Sequence, residues 1–205
     1  MKKELTDEMY NGLHRIKYIN DNGTEVLGGY VYDLAQITGN AEVYGDAEVY
    51  DRARVYDRAA VYGRATVYGR AEVYDNAKVY GDAEVYDLAQ ISDRALVYGR
   101  ATVYGNALVY DDAEVYGDAE VKGNARVKGQ SKITTTSDYL VIGPIGSRDD
   151  FITFTNSDDG ILATVGCFHG TINEFKKKVN QIHGENANAK AYLLACELAE
   201  LRING

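Results

Sequence analysis

The chain has 205 residues, a length that fits one large domain or two small ones. Its formal net charge of −9 disfavours nonspecific binding to nucleic acid or to anionic lipid surfaces. The two cysteines, Cys167 and Cys196, come without a secretory leader and without an apolar stretch long enough to span a bilayer. We therefore expect a cytoplasmic protein with free thiols, with no membrane or nucleic-acid partner and no cofactor.

Residues 1–27 precede the repetitive part of the chain, and we expect them to form a lead-in and cap. They are predicted to combine a short helix with a strand over residues 14–19 and a turn at residues 21–23, where the sequence reads Asp-Asn-Gly.

Self-similarity with a six-residue period dominates the middle of the chain. From Asp33 to Thr134 the sequence divides into 17 consecutive units without an insertion. The units follow the pattern (Gly/Asp)-x-Ala-x-(Val/Ile)-Tyr, with Ser131 in place of Ala in the last unit and Tyr present in most of them. A partial unit over residues 28–32 leads in. Residues 28–134 are therefore predicted to be one repetitive domain.

The spacing within a unit predicts its geometry. Ala and Val stand two positions apart, so on a strand both point inward, while the residue between them and the following Tyr point outward. Gly or Asp then occupies a bend, where a positive φ is tolerated. About three such flat sides close a prism, so we predict a mainly β protein containing a parallel β-helix with about 18 residues per coil.

Residues 18 positions apart are then stacked on adjacent coils, and their chemistry should match. Three columns fit this expectation, since they alternate in charge or separate like charges. They are Asp46, Arg64, Asp82, Arg100 and Asp118; Glu48, Thr66, Glu84, Thr102 and Glu120; and Asn40, Arg58, Asn76, Arg94 and Asp112.

Residues 135–205 have a different composition and are predicted to form a small α+β domain that covers one end of the repeat. Strands are predicted over residues 139–142, 151–155 and 161–165, with turns at residues 143–144 and 158–160. A helix should begin at Thr171 with Glu174 completing a capping box. A second helix is predicted over residues 186–201.

The candidate chemistry of this domain is sparse. Cys167 and His169 stand two apart, so they could form a thiolate–imidazole pair, or they could be a buried Cys beside a surface His. Ser147 and Arg148 follow a Gly-Pro turn and could hold an anion, or they could simply finish a hairpin.

Two kinds of column on the repeat invite a functional interpretation. Four stacked carboxylates could bind Ca²⁺, or each could cap its own bend; they are Asp57, Asp75, Asp93 and Asp111. Two Tyr-lined faces could form an interface, or their rings could only stabilise the strands. Their residues are Tyr44, Tyr62, Tyr80, Tyr98 and Tyr116 on one face and Tyr50, Tyr68, Tyr86 and Tyr104, after Tyr32, on the other.

The sequence resembles the YdcK-type β-solenoid proteins of bacteria and prophages. The resemblance rests on Leu13-His-Arg-Ile-Lys17, on Gly28-Gly29-Tyr30-Val31 and on the Asn/Asp-Ala-x-Val-Tyr-Gly units. The segments Ile142-Gly-Pro-Ile-Gly-Ser-Arg148 and Gly166-Cys-Phe-His-Gly-Thr171 are similar to a domain fused to such solenoids in phage-related proteins. The resemblance implies a left-handed coil and favours a trimer or dimer.

Members of this group are often labelled acyltransferases, which by resemblance use a His general base and a protruding loop. The repeat contains neither. Its units have no insertion that could form such a loop, and the three histidines, His14, His169 and His183, all lie outside it. The leading hypothesis is therefore a non-catalytic scaffold or binding protein that self-associates through the Tyr-lined faces and recognises a partner with its C-terminal domain. The alternatives are a phage-encoded inhibitor that binds or sequesters a component or ligand of a host defence system, and an acyl-CoA-dependent acyltransferase.

Overall fold

A computed structural model describes residues 2–10, 12–19, 21–32 and 34–203 of the chain. Asp33 opens the first predicted repeat unit and lies outside the described residues. The same holds for residues 1, 11 and 20 of the predicted lead-in and for residues 204 and 205 of the predicted C-terminal domain.

The N-terminal region is an antiparallel three-stranded arrangement of Lys2–Tyr10 (β1), Leu13–Ile19 (β2) and Glu25–Val31 (β3). The predicted strand over residues 14–19 is confirmed within β2. The predicted short helix is wrong, since the described residues before β3 form strands and turns. Pairing with β2 outweighs the weak local helix preference of the charged first strand. The end of β3 joins the repeat by parallel pairing of Tyr30 with Glu48.

The repeat forms a β-solenoid with three flat walls made of two-residue strands. Wall A contains the end of β3 and then Glu48–Val49 (β6), Thr66–Val67 (β9), Glu84–Val85 (β12), Thr102–Val103 (β15) and Glu120–Val121 (β18). Wall B contains Gln36–Ile37 (β4), Arg54–Val55 (β7), Glu72–Val73 (β10), Gln90–Ile91 (β13), Leu108–Val109 (β16) and Arg126–Val127 (β19). Wall C contains Glu42–Val43 (β5), Ala60–Val61 (β8), Lys78–Val79 (β11), Leu96–Val97 (β14), Glu114–Val115 (β17) and Lys132–Ile133 (β20).

The coil repeat is 18 residues, as predicted. Val43 pairs with Val61, and Val61 pairs with Val79, in parallel register. With six strands in each wall, the solenoid has about six turns.

The solenoid axis is filled by the inward pair of each unit. The inward-facing Ala and the inward-facing Val or Ile of each unit from residue 41 to residue 127 are at most 1% exposed. At the bends, Gly63 has φ 75° and Asp57 has φ 59°, as the sequence pattern requires. A Cβ at Gly63 would lie 3.0 Å from the backbone nitrogen of Gly81, so successive bends stack too closely for a side chain to fit without a shift.

Two of the three predicted columns form ion pairs between adjacent coils. Arg64 donates to both carboxylate oxygens of Asp82 at 2.6 and 2.8 Å, and Arg94 does the same to Asp112 at 2.6 and 2.7 Å. These pairs are exposed, so each contributes modestly to stability.

The C-terminal domain contains a four-stranded antiparallel sheet of Tyr139–Ile145 (β21), Asp150–Thr155 (β22), Leu162–Val165 (β23) and Phe168–Thr171 (β24). Two single-turn 3-10 helices flank β21, at Thr136–Asp138 and Gly146–Arg148. The helices Ile172–His183 (α1) and Ala187–Ile203 (α2) complete it.

The three predicted strands and both helices of this domain are confirmed, as is the capping box, in which Thr171 accepts from the Glu174 N–H. The turn predicted at residues 143–144 is wrong. The Gly143–Pro144 peptide is cis and lies inside β21, at a shift of register between Ile142 and Ile145, so the turn residues interrupt the ladder without reversing the chain. Strand β24 was not predicted. None of the described helices is long and apolar enough to cross a membrane.

Both ends of the solenoid are covered. At the N-terminal end, the buried Tyr18 hydroxyl accepts from the Val43 N–H at 2.5 Å and lies 3.2 Å from its carbonyl oxygen. At the other end, Tyr139 accepts from the Lys122 N–H at 3.2 Å, and Thr153 accepts from the Arg126 N–H at 3.0 Å. These strand-edge groups, which would otherwise be open, are thereby satisfied.

Candidate ligand-binding site

A cavity of about 350 Å³ lies in the C-terminal domain, between the second 3-10 helix, the turn joining β23 to β24, and the two α-helices. Its volume is within the range of small-molecule sites. It brings together three of the four candidate residues that the sequence singles out in this domain, namely Ser147, Arg148 and Cys167.

The floor of the cavity is apolar and aromatic. Phe175 packs against Phe168 with ring centroids 5.1 Å apart and against Tyr192 in a T-shaped contact at 5.5 Å. Val179, one turn after Phe175 on α1, adds an aliphatic surface. Burial raises the pKa of Tyr192, with Asp150 adding to the effect and Arg148 opposing it. Tyr192 is therefore a neutral hydrogen-bonding group at neutral pH.

The rim carries more positive than negative charge. Arg148 closes the second 3-10 helix, and Lys178 lies on α1; both side chains are exposed and both line the cavity. Among the described residues, no carboxylate forms a salt bridge with either cation. Asp150 is the acidic residue of the lining, and its Oδ1 accepts from the Phe151 N–H at 2.8 Å. The arrangement suits a ligand with an apolar body and an anionic group.

Cys167 and His169 lie in different surroundings. Cys167 is exposed in the turn before β24 and lines the cavity. The Nδ1 atom of His169 is 3.0 Å from the Thr164 hydroxyl, and its Nε2 atom faces the solenoid, 2.4 Å from where a Cβ on Gly129 would be. Burial lowers the pKa of His169, with Lys128 adding to the effect. The structure therefore places the imidazole against the solenoid end, where it packs, and the thiol at the cavity.

The second cysteine, Cys196, does not line the cavity. Cys196 is buried between the helices, and burial raises the pKa of its thiol to about 12. A thiol in this state is unreactive at neutral pH.

The four stacked carboxylates occupy bends, each with φ between 56° and 59°; they are Asp57, Asp75, Asp93 and Asp111. Asp75 accepts from the Asp93 N–H at 3.4 Å, and Asp93 accepts from the Asp111 N–H at 3.3 Å. Within the part of the chain that the structure describes, no group of three His, Cys, Asp or Glu side chains converges on a point. The contacts correspond to bend capping, and the cation site stays a prediction.

The predicted Tyr faces are ladders of stacked rings. In one ladder Tyr62, Tyr80, Tyr98 and Tyr116 stack at 4.9 Å, and in the other Tyr50, Tyr68, Tyr86 and Tyr104 stack at 4.8–5.0 Å. Tyr44 contacts Tyr18 instead, at 5.2 Å.

These rings are half-buried, and some hydroxyls bond to the next coil: Tyr98 donates to Glu114 at 3.1 Å and Tyr104 to Glu120 at 2.5 Å. Burial, together with Glu114, raises the pKa of Tyr98 to about 12. The ring faces contact one another, so the ladders present ring edges and hydroxyls to solvent.

The sequence did not single out the aromatic floor. Phe175 and Val179 stand four apart on a helix, which is equally typical of an ordinary core. Tyr192 approaches the site only because Gly146 has no side chain, since a Cβ there would lie 1.9 Å from its hydroxyl. That contact joins residues far apart in the chain, and no local pattern signals it.

Comparison with known families identifies the repeat. Residues 89–103 and 97–111, inside the solenoid, match the family described as YdcK Beta solenoid repeat. The comparison with curated proteins gives no match, and neither does the comparison with solved structures. In its repeat, the chain is thus similar to the YdcK β-solenoids.

Proposed function

We propose that this protein is a non-catalytic solenoid scaffold whose C-terminal domain recognises a small anionic ligand, or an anionic group of a partner protein, in the cavity beside α1. The observation that carries the proposal is the cavity itself, with an aromatic floor and with Arg148 and Lys178 at its rim. Its narrower form is a phage-encoded inhibitor that sequesters a ligand of a host defence system.

The chemistry around the cavity favours binding over catalysis. Nucleophilic catalysis requires a nucleophile with a base in hydrogen-bond reach. Cys167 lies at the rim, while His169 bonds to Thr164 on the other side of the domain's sheet. His183 also lines the cavity, but among the described residues no hydrogen bond joins it to Cys167. The solenoid itself carries no histidine between residues 28 and 134, so it also lacks the general base used by hexapeptide acyltransferases.

The binding test is calorimetric titration with 3-phenylpropionate and phenyl phosphate, with neutral 3-phenylpropanol as the uncharged probe. We expect the two anions to bind more tightly than the alcohol. Arg148→Ala should weaken anion binding by roughly ten- to a hundredfold, since a hydrogen bond to a charged group is worth roughly 1.5–3 kcal/mol. Binding of the alcohol should hardly change.

A matched pair of lysines supplies the control. Lys177 and Lys178 are adjacent and exposed on α1, but only Lys178 lines the cavity. Lys178→Ala should weaken binding of the anions, and Lys177→Ala should not. Absence of binding by both anions, or equal effects of the two lysine variants, would contradict the proposal.

A second part of the proposal concerns self-association through the two Tyr-lined faces. It is supported by two long stripes of half-exposed rings, whose edges and hydroxyls form an amphipathic surface. Replacing Tyr80 and Tyr98 by Ser should lower the mass measured by light scattering if this face is the interface. An unchanged mass with an intact circular-dichroism spectrum would limit the ladder that contains Tyr80 and Tyr98 to a structural role.

A further inference from the structure

Helix α2 has two apolar faces, and only one of them is covered. The covered face packs against the domain's sheet and α1; its buried residues are Ala189, Tyr192, Ala195, Cys196 and Ala199. The other face carries Ala187, Ala191, Leu194, Leu198 and Leu201. Successive members are four, three, four and three residues apart, so they fall on one narrow stripe of the helix.

The three leucines of this stripe are highly exposed. Leu194 is 63% exposed, Leu198 51% and Leu201 76%. Several large aliphatic side chains in a row on one helix form a contiguous apolar surface of the kind that marks a protein contact. The 4-3-4-3 spacing is that of a seam between two helices packed side by side.

The stripe is complementary to itself when a second copy runs in the opposite direction. With the two copies of Leu194 facing each other, Ala191 lies opposite Leu198 of the second copy, and Ala187 lies opposite Leu201. On either side of the central Leu194 pair, each large side chain then meets a small one, which fills the seam evenly along its length. A parallel pair would instead place leucines against leucines at one end and alanines against alanines at the other.

The charges beside the stripe agree with the same arrangement. Lys190 and Glu197 lie on the same flank of the stripe, seven residues apart, and both are exposed. In the antiparallel pair, Lys190 of each copy lies opposite Glu197 of the other, which gives two opposite-charge pairs related by the two-fold axis. In a parallel pair, Lys190 would face Ala195.

We propose that the uncovered face of α2 is a two-fold interface with a second copy of this chain, formed by antiparallel pairing of α2 about Leu194. Helix α2 has 17 residues and is therefore about 25 Å long. An interface of this length is small, so the dimer is weak and its population depends on protein concentration. The inference goes beyond the proposed function and does not depend on the cavity.

The first test is sedimentation velocity over a series of protein concentrations. The wild type should associate further as concentration rises, and the variant with Leu194→Gln and Leu198→Gln should lose the step that α2 contributes, which leaves only association through the Tyr-lined faces. Leu88→Gln on the solenoid is the matched control, because Leu88 is 49% exposed and Leu198 is 51% exposed. The substituted leucines lie on the surface, so circular dichroism should show that every variant is folded. A wild type that stays monomeric, or a double variant that associates as strongly as the wild type, would overturn the proposal.

The second test reads the direction of pairing. Lys190→Glu and Glu197→Lys should each weaken the dimer several-fold, because each places like charges opposite one another, and combining them should restore it. If Lys190→Glu has no effect while the leucine variant abolishes the dimer, the antiparallel register is overturned. A dimer that responds only to the Tyr80 and Tyr98 substitutions would assign self-association to the solenoid face instead.

Discussion

The Tyr18 hydroxyl takes the place of a missing strand at the N-terminal edge of wall C. Val43 belongs to the first strand of that wall, so its N–H and carbonyl point to the side on which the wall has no further strand. Tyr18 accepts from the N–H at 2.5 Å and lies 3.2 Å from the carbonyl oxygen, and both residues are buried. Replacing Tyr18 by Phe removes this oxygen and keeps the ring.

The expected loss follows from the two groups left without a partner. A buried backbone group that loses its hydrogen bond costs about 1–3 kcal/mol. Partial rehydration at the end of the solenoid lowers the cost, so we expect Tyr18→Phe to reduce the free energy of unfolding by about 2 kcal/mol. The amide of Val43 should also exchange faster with solvent, because its opening no longer requires breaking that bond.

Urea unfolding followed by circular dichroism, together with amide hydrogen exchange, measures both effects. Tyr62→Phe is the control, since Tyr62 keeps its stacking on Tyr80 at 4.9 Å and its hydroxyl has no hydrogen-bond partner in the described part of the chain. Its effect should lie within about 0.5 kcal/mol of the wild type. Equal stabilities for the two variants would refute the capping role of the Tyr18 hydroxyl.

Three further perturbations have defined outcomes. Gly28→Ala should destabilise the fold by about 1–3 kcal/mol in urea unfolding, because the new Cβ would lie 2.5 Å from Cε2 of Tyr18. Ser131→Ala should destabilise it by about 1–2 kcal/mol although Ala is the repeat consensus, since the buried Ser131 hydroxyl bonds Thr155 at 2.7 Å. Thermal melts should show that the protein keeps its stability below pH 10 and loses stability as the pH rises towards about 12. The reason is that the pKa of Tyr98 is about 12 in the folded protein and has its ordinary value of 10.0 in the unfolded chain.

The solenoid was predictable because each of its units carries the same sequence pattern and therefore predicts the same strand and bend. Alternation sets which residues face the axis, the Gly or Asp at each bend sets where the wall turns, and the charge columns report the 18-residue period independently. Arg64 and Asp82 illustrate the last point, since they are distant in sequence and paired in space only if a coil has 18 residues. Repetition makes these weak signals additive.

The candidate site was only partly predictable, because it depends on contacts between elements that do not repeat. Arg148 and Cys167 stood out as individual residues, and the structure places both at one cavity. The separation of His169 from Cys167 followed from chain geometry that the sequence did not reveal. Cys167 belongs to a turn and not to a strand, so the two-residue alternation that would have aligned the pair does not begin until Phe168.

Strand β22 joins the solenoid to the half of the domain that contains the cavity. Its Ile152 and Phe154 pack with the helices in the domain core, while Thr153 and Thr155 face the solenoid end and are fully buried there. Thr153 accepts from the Arg126 N–H, and Thr155 lies 2.7 Å from the Ser131 hydroxyl. The Thr face would be wetted at small cost if the solenoid were removed, because hydroxyls hydrogen-bond water.

Removing the C-terminal domain would damage the solenoid more than removing the solenoid would damage the domain. Without the C-terminal domain, the last coil would lose the partners of the Lys122, Arg126 and Lys132 N–H groups and expose the apolar end of the axis. The dependence is therefore asymmetric: the solenoid relies on this domain as a cap, whereas the domain has its own core. The Thr side of β22 thus closes the solenoid, while the opposite side of the same strand belongs to the core of the domain.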